Sequence, residues 1–450
     1  MTGTLTTTPY LAARAARLAA LRAERAEVRA YLRDADRREA AYLDAAGAVR
    51  RVALVVGSPR GGTSALTAVL ARGDNALALP GEHRHLFTLV GANFPDHGGW
   101  GECGDVNALS DEAVAIVRDE LCADAAGVPV ADPGAADVER YAWEWALRFQ
   151  LQWPELDVAI DTVATVVHDA VRALRSPDGT VPSPDRLVAD ILGRLLDHGI
   201  PVDPLLYALD ADVLRTAFGE RPLPTRPPAS MVIEISPYLV VGPTRRPVVG
   251  DDAVFVLKAS SDAFRLPTLR RVFEGFDVRF LHLVRNPLAA VNGLLDGWAH
   301  HCFWQHDLSP FGMPDVNDPA RPGAWWKFDL FDDWRAVYDA PLPELCARQW
   351  LSSHERILAE CDAAPRLRFE AFQAADLRAA VMEAAADLLG VVHGAGFADA
   401  VARPPVVNST AAPAAGRWRA RPDVTDVLSV PGVRRMATAL GYDDTPEEWA

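Results

Sequence analysis

The sequence has few cysteines and no long run of apolar residues. Its 450 residues include five cysteines, which are scattered, odd in number and never spaced as a CxxC pair. The sequence therefore predicts neither a disulfide framework nor a zinc site, and this cysteine usage is typical of a reducing cytoplasm. No stretch approaches the roughly 20 apolar residues that span a bilayer. Because the N-terminal region is unlike a secretory signal, we expect a cytoplasmic protein with no membrane partner.

Basic residues are outnumbered by acidic ones. The 45 Lys and Arg residues stand against 61 Asp and Glu residues, which gives a formal net charge of −16 at pH 7. Nucleic acids require a basic protein surface, so this composition argues against a nucleic-acid partner. A small anionic ligand remains compatible with the composition if a few arginines converge on one site.

The N-terminal region, residues 1–46, has a helical pattern. Apolar residues recur there at spacings of three, four and seven, at Leu11, Leu18, Leu21, Val28 and Leu32. This spacing predicts a long amphipathic helix. The helix either packs on the rest of the chain or forms the seam of a coiled-coil homodimer.

The remainder, residues 47–450, reads as one α/β domain in which short apolar runs alternate with helical patterns. This alternation predicts a parallel sheet with helices on both faces, whose ligand binds at the carboxyl ends of the strands. A stretch from about residue 90 to 229 has helical segments joined by Pro-rich linkers, so we expect a largely helical insertion over those strand ends. The predicted strands are 52–56, 231–235, 254–257, 278–284 and 367–369.

The glycine-rich segment "GSPRGGTS" directly follows the apolar run "RVALVV". It lacks the lysine of the GxxxxGK[ST] loop that grips nucleotide triphosphates. The backbone N–H groups of Gly61, Gly62, Thr63 and Ser64 fall at a predicted helix start, where the helix dipole favours an anion. Because the planar guanidinium of Arg60 suits phosphate or sulfate oxygens, the segment predicts an anion-binding loop.

Two further basic residues stand at the carboxyl ends of predicted strands. Lys258 ends "FVLK", and Arg285 ends "FLHLVR" before a helix that begins at a proline. The carboxyl ends of parallel strands lie along one edge of a sheet, so we expect both cations beside the anion-binding loop. A charge at such a position requires an ionic or hydrogen-bonding partner.

Together these segments resemble the PAPS-dependent sulfotransferases, in particular a bacterial branch that includes enzymes of natural-product pathways. In that family a P-[KR]-[SG]-G-[TS]-[ST] loop binds the 5′-phosphosulfate of 3′-phosphoadenylyl sulfate (PAPS), and a later R-[ND]-P motif binds its 3′-phosphate. The chain has "PRGGTS" and "RNP" in the same order. The segments "LKASSDAFRLPTL", "LRFEAF" and "VVNSTAAPAAGRWRA" are similar to three more family elements. The resemblance covers about residues 50–90 and 230–440.

The resemblance implies PAPS as sulfuryl donor, 3′-phosphoadenosine 5′-phosphate (PAP) as product, and no metal. In the family a serine eight residues after the second-motif arginine also binds the 3′-phosphate. That position is Gly293 here, and Asn292 or the Gly293 amide could take over its role. The family's proline after the lysine is likewise absent, because Ala259 follows Lys258. The resemblance implies nucleotide contacts for four further residues: Arg285, Arg417, Trp418 and Arg419.

Sulfuryl transfer is an in-line displacement that depends on positioning and charge stabilisation. We expect Arg60 to stabilise the bridging and sulfate oxygens, with Lys258 as a second cation. The acceptor hydroxyl needs a base, and related bacterial enzymes place a glutamate where Glu82 stands in "LPGEHRHLF". The other candidates for this base are His83, His85, Asp262 and Glu234.

The segment "DGWAHHCFWQHDLSPFGM" and the later "GAWWKFDLFDDW" are dense in tryptophan and histidine. Such density indicates either buried core or the wall of an acceptor site. The HHxxxxH spacing also permits a metal site, although no supporting carboxylate set is evident. We predict a sulfotransferase acting on a hydroxyl of a small-molecule or carrier-bound acceptor. A P-loop nucleotide kinase-like enzyme and a non-catalytic nucleotide-binding protein are the alternatives.

Overall fold

The computed structural model describes the main part of the chain. The described residues are 5–6, 8–36, 49–79, 82–124, 128–129, 134–154, 156–176, 183–207, 209, 211–219, 244–245, 252–300, 303–318, 321–407, 409–443, 445–446 and 449. The main-sheet strands are β1 Arg51–Val56, β2 Ala76–Ala78, β3 Val254–Leu257, β4 Asp277–Val284 and β5 Arg366–Arg368. Three short antiparallel pairs join Val128–Pro129 to Thr244–Arg245, Gln305–Asp307 to Trp325–Lys327, and Val316–Asp318 to Arg321–Gly323.

The α-helices, in chain order from α1 to α16, are Pro9–Asp36, Thr63–Leu70, Arg84–Leu89, Asp111–Asp124, Ala135–Gln152, Ile160–Leu174, Pro184–Asp197, Ala211–Phe218, Leu266–Val272, Pro287–Ala299, Leu342–Cys361, Phe369–Gln373, Arg378–Leu389, Ala395–Ala402, Pro422–Thr425 and Val433–Ala439. Short 3-10 turns cover Val106–Ala108, Pro204–Tyr207, Ser260–Phe264, Ser309–Phe311, Trp334–Val337, Arg417–Ala420 and Asp426–Ser429. Among the described residues, no helix is long and apolar enough to cross a membrane.

The main sheet has five parallel strands in the spatial order β5-β4-β1-β3-β2. In the central strand, Val52 is in register with Phe255 of β3 on one side and with Val278 of β4 on the other. All of β3 and the last five residues of β1 and β4 are buried, as expected for a parallel sheet with both faces covered by helices. The predicted α/β fold is therefore confirmed.

Sequence periodicity located most of this sheet. The predicted strands 52–56, 254–257, 278–284 and 367–369 coincide with β1, β3, β4 and β5 to within one residue. The predicted strand at 231–235 lies outside the described residues. The edge strand β2 was not predicted, because three residues rich in alanine carry little β-propensity.

Successive side chains of β1 pack alternately into two hydrophobic cores, one on each face of the sheet. Val52, Leu54 and Val56 belong to a buried cluster on one face, and Ala53 and Val55 belong to another on the opposite face. Successive side chains of a strand point to opposite faces, so one strand anchors helices on both sides of the sheet. The strand ends are thereby held in one rigid edge.

The N-terminal helix α1 packs on its own chain. Leu18 and Leu21 are buried in a cluster with Leu89, Leu147 and Leu151. Arg25 and Arg29 both pair with the buried Glu120 carboxylate, which lies 2.5 Å from Arg25 Nε. Burial alone would raise the pKa of Glu120, but the two guanidinium groups lower it to about 2. The apolar stripe predicted from spacing is thus largely covered within the chain, and residues 37–46 of the predicted helical segment lie outside the described residues.

Helices α5 to α8, within the predicted insertion, build a core of their own. Its buried cluster joins Trp145 and Phe149 of α5 to Val167 of α6 and Ile191 of α7. The indole nitrogen of Trp153 donates a hydrogen bond of 2.8 Å to the Tyr207 hydroxyl, which satisfies both polar groups inside this core. The end of the cluster nearest α8 reaches the main cavity described next.

Candidate functional site

A cavity of about 950 Å³ lies at the carboxyl ends of the strands. It is bounded by the loop between β1 and α2, by the residues that follow β3 and β4, and by a C-terminal segment, residues 404–418. This is the edge at which parallel α/β sheets bind their ligands. Of the predicted site residues that the structure describes, all line this cavity except Gly61, His83, His85, Asp262 and Arg419.

The loop between β1 and α2 has an unusual backbone. Arg60 adopts φ 61° and Gly62 adopts φ 98°, the left-handed region that residues with side chains rarely occupy. A Cβ atom at Gly62 would lie 2.3 Å from the Phe369 ring, so only glycine fits. Helix α2 begins at Thr63, and its first backbone N–H groups have no acceptor within the helix. The loop therefore offers amide donors at the positive end of a helix dipole.

Gly61 corrects one prediction about this loop. Its N–H donates a hydrogen bond of 3.0 Å to the Ser58 carbonyl, which closes the turn. This N–H is therefore occupied by the turn itself. Gly61 shapes the loop and does not line the cavity.

The Arg60 side chain crosses the cavity and is held by several contacts. Its Nε donates to the Gly293 carbonyl at 3.3 Å, and its Nη2 donates to the Thr410 hydroxyl at 3.2 Å. The guanidinium lies 4.7 Å from the centre of the Phe303 ring, a cation–π distance. These contacts fix the orientation of the cation toward the cavity.

The electrostatic surroundings of Arg60 are strongly cationic. Burial, followed by the charges of Arg285 and Arg417, lowers its pKa to about 10, although Asp296 opposes the shift. Even at that value Arg60 is charged near neutral pH. Asp296 compensates Arg417, but the charges of Arg285 and Arg417 both act on Arg60. The site therefore favours an anionic ligand.

Arg285 lies beneath the loop. Its Nη1 donates a hydrogen bond of 3.0 Å to the Arg60 carbonyl, and its guanidinium lies 5.0 Å from the Phe369 ring centre. Burial lowers the pKa of Arg285. Its Nε is buried and has no hydrogen-bond partner among the described residues. A buried donor of this kind is expected to find an acceptor on a bound ligand.

Glu370 fixes the start of helix α10 next to Arg285. One of its carboxylate oxygens accepts hydrogen bonds from the Asn286 backbone N–H (3.0 Å) and side-chain amide (2.7 Å). The other oxygen accepts from the Tyr442 hydroxyl at 2.9 Å. The Asn286 side-chain oxygen in turn accepts from the Ala289 N–H, an N-cap contact of 2.8 Å. The "RNP" and "LRFEAF" segments therefore act as one unit.

The C-terminal segment is tied to helix α10 through Asp296. Arg417 and Arg421 pair with its two carboxylate oxygens at 2.8 and 2.6 Å. Arg417 and the buried Trp418 line the cavity as predicted. Arg419 does not, because its side chain turns to the Trp449 carbonyl at 3.2 Å. The structure therefore does not place Arg419 on the cavity wall, where the resemblance implied a nucleotide contact.

Gly293 is the position at which the sequence resemblance implies a serine. A Cβ atom there would lie 3.2 Å from Arg60 Cβ and 3.8 Å from Arg285 Nη1. A serine would crowd Arg60, whose backbone is confined by the turn. The carbonyl of Asn292 accepts from Arg421 at 3.3 Å, while its side chain lies on the cavity wall. Glycine at this position thus permits the close approach of Arg60 to helix α10.

Lys258 and Glu82 form an ion pair at the cavity wall. The Ser260 N–H lies 3.4 Å from the second carboxylate oxygen of Glu82. The turn after Lys258 is held by Asp262, whose carboxylate accepts the Ala259 N–H at 2.8 Å. Asp262 therefore constrains the turn after Lys258 without a proline.

His83 and His85 point into the protein. His83 is fully buried, and its Nε2 lies 2.9 Å from the Asp262 carboxylate. Burial alone would raise the pKa of Asp262, but His83 and Arg265 hold it below its usual value. His85 contacts Arg148, and burial together with that cation lowers its pKa well below the usual range. Neither histidine can reach an acceptor in this arrangement, and Glu234 lies outside the described residues.

The tryptophan-rich segments divide between core and cavity. Trp298, Trp326 and Trp334 belong to a large buried cluster, and Trp304 lines the cavity. Trp325 packs on the core of the insertion helices. In the part of the chain that the structure describes, no group of three or more His, Cys, Asp or Glu residues is arranged to hold a metal ion.

Sequence reasoning missed several residues of the site. Asp296, Thr410, Phe303 and Phe328 contact the predicted residues or line the cavity but were not named as site residues. Phe303 and Phe328 lie in the aromatic segments for which an acceptor wall was one expectation, and Asp296 lies three residues after Gly293 and therefore on the same helix face. Comparisons with family models, with curated proteins and with solved structures found no match. The function must therefore be argued from the α/β fold and the cationic cavity.

Proposed function

We propose that the protein is a cytoplasmic PAPS-dependent sulfotransferase that transfers a sulfuryl group to a hydroxyl of a small-molecule or carrier-bound acceptor. The observation that carries the proposal is the convergence of Arg60, Arg285 and Arg417 on one cavity. Burial lowers the pKa of Arg60 and Arg285, and the cations lower the pKa of Arg60 further. Such a site suits a ligand with two separate anionic groups, and PAPS has a 5′-phosphosulfate and a 3′-phosphate.

The two anionic groups are assigned to two parts of the cavity. The amides at the start of α2 and the Arg60 guanidinium receive the 5′-phosphosulfate. The guanidinium groups of Arg285 and Arg417, two residues that line the cavity, receive the 3′-phosphate. The loop suits a phosphosulfate better than a triphosphate, because Thr63 stands where GxxxxGK[ST] has its lysine and the basic residue of the loop, Arg60, lies three positions earlier.

The reaction forms a bond between the acceptor oxygen and sulfur while the bond from sulfur to the bridging oxygen breaks. The electron pair of the broken bond leaves with the phosphate oxygen of PAP, and Arg60 stabilises the charge that develops there. Glu82 takes the proton of the acceptor hydroxyl. The Lys258 ammonium, paired with Glu82, orients this carboxylate at the cavity wall.

The proposal is tested by incubating the protein with PAPS and a panel of alcohols and phenols. Mass spectrometry should detect products that have gained SO₃ and an equal amount of PAP. Arg60→Ala should abolish the product, whereas Arg279→Ala should not, since Arg279 lies on β4 and pairs with Asp277 at 2.9 Å. Failure of the unaltered protein to bind PAP would contradict the proposal even without an acceptor.

A further inference from the structure

Backbone strain is concentrated at the cavity. Among the described residues, four that are not glycine have positive φ, and Arg60, Phe303 and Phe328 account for three of them, at 61°, 103° and 62°. All three line the cavity. A bulky aromatic residue at positive φ is a rare conformation that costs on the order of 1–3 kcal/mol. Two such residues beside a catalytic cation indicate that the positions of their rings matter for function.

The two strained phenylalanines and Arg60 form one continuous surface. The Arg60 guanidinium lies 4.7 Å from the Phe303 ring centre, and the Phe303 and Phe328 ring centres are 5.7 Å apart. A Cβ atom at Gly297 would lie 2.5 Å from Phe328 and 3.7 Å from Arg60 Cδ, so helix α10 presses the two side chains together. The aromatic surface therefore begins where the sulfuryl group would lie.

Trp304 continues this wall toward Glu82. The guanidinium of Arg84 lies 3.7 Å from the centre of the Trp304 ring and pairs with Glu102. The wall is completed by Leu209 and Leu214 from the insertion. The charges nearby are already compensated, because Arg84 pairs with Glu102 and Lys258 pairs with Glu82. Arg84 and Lys258 are therefore both engaged by carboxylates of the chain itself.

We propose that the acceptor is an uncharged, planar aromatic alcohol, and that Phe303 and Phe328 select it by contact with its ring. This inference rests on the sulfotransferase function proposed above. Aromatic contacts contribute beyond buried area, and rings held in fixed positions reduce the entropic cost of binding. The hydroxyl then faces the sulfuryl group, its oxygen bonds to sulfur, and its proton passes to Glu82.

The test compares 2-naphthol with its saturated counterpart 2-decalol in the presence of saturating PAP, with binding measured by saturation-transfer NMR titration. Naphthol should bind about 2- to 10-fold more tightly, the range expected from aromatic contacts. Phe303→Leu and Phe328→Leu should each remove most of this preference, measured at a PAP concentration that saturates each variant. Phe276→Leu, which replaces a partly buried phenylalanine near Arg50, is the matched control and should retain the preference.

Equal affinity for the two alcohols in the unaltered protein would overturn the inference, and this comparison needs no variant to fold. So would a naphthol preference that survives both leucine substitutions. If PAP itself fails to bind, the proposed function fails first. If PAP binds and neither alcohol does, the donor assignment stands and the aromatic acceptor is wrong.

Discussion

Arg285→Met is the substitution that separates recognition of the 3′-phosphate from the remainder of the site. Methionine keeps an apolar chain beside Phe369, whose ring centre lies 5.0 Å from the guanidinium, and removes the charge. A unit charge pair about 4 Å apart is worth about 4 kcal/mol at an effective dielectric constant near 20. Charge-assisted hydrogen bonds contribute about 1.5–3 kcal/mol net. We therefore expect a loss of about 2–3 kcal/mol, or roughly 30- to 150-fold in PAP affinity.

The assay is calorimetric titration with PAP and with adenosine 5′-phosphate, which lacks the 3′-phosphate. The affinity for adenosine 5′-phosphate should fall by less than about 3-fold, because this ligand makes no charge-assisted hydrogen bond to Arg285. Arg279→Met, on the same strand, should leave both affinities unchanged, since its guanidinium contacts Asp277 and the Leu388 carbonyl. Equal losses for both ligands in Arg285→Met would refute the assignment of the 3′-phosphate to this arginine.

Three further outcomes follow. Glu82→Gln should leave PAP affinity within about 3-fold and lower turnover by about 10²–10⁴; near-normal turnover would remove Glu82 as the base. Tyr442→Phe should lower the free energy of unfolding in urea by about 1 kcal/mol. Glu370→Gln should lower it by more, because Glu370 accepts three hydrogen bonds, and equal losses in the two variants would contradict this expectation. His282 and His354 lie 2.9 Å apart, and burial lowers the pKa of His282 to about 3. Because the folded state binds fewer protons, stability should be full above about pH 6.5 and fall by about 1.4 kcal/mol per pH unit per histidine as the pH drops toward 3; a flat urea profile would contradict this.

Local sequence patterns were sufficient to predict the anion loop and the strand ends. "RVALVV" is apolar without interruption because β1 is covered on both faces, and the glycines that follow it mark a turn. The positions of Lys258 and Arg285 follow directly from the ends of β3 and β4. These features depend on residues close together in the chain, which is why periodicity and spacing could locate them.

The parts that were missed or wrong depend on contacts between distant segments. The sequence gives no sign that Asp296 pairs with Arg417 and Arg421, which lie more than 100 residues later. His83 and His85 are adjacent to Glu82 in sequence, but helix α3, whose side chains are all buried, carries His85 inward. The left-handed backbone of Phe303 opposes the ordinary preference of phenylalanine, so local propensity could not have predicted it.

Thermal unfolding of the unaltered protein with PAP, adenosine 5′-phosphate and ATP–Mg²⁺ at equal concentration is the most direct test of the proposed donor site. A ligand present at 100 times its Kd stabilises the folded state by about 2.7 kcal/mol. Arg60, Arg285 and Arg417 line one cavity. We therefore expect PAP, which carries both anionic groups, to give by far the largest rise in Tm. A rise with ATP–Mg²⁺ that equals or exceeds the rise with PAP would contradict the claim that this cavity is built for a 3′-phosphorylated sulfuryl donor.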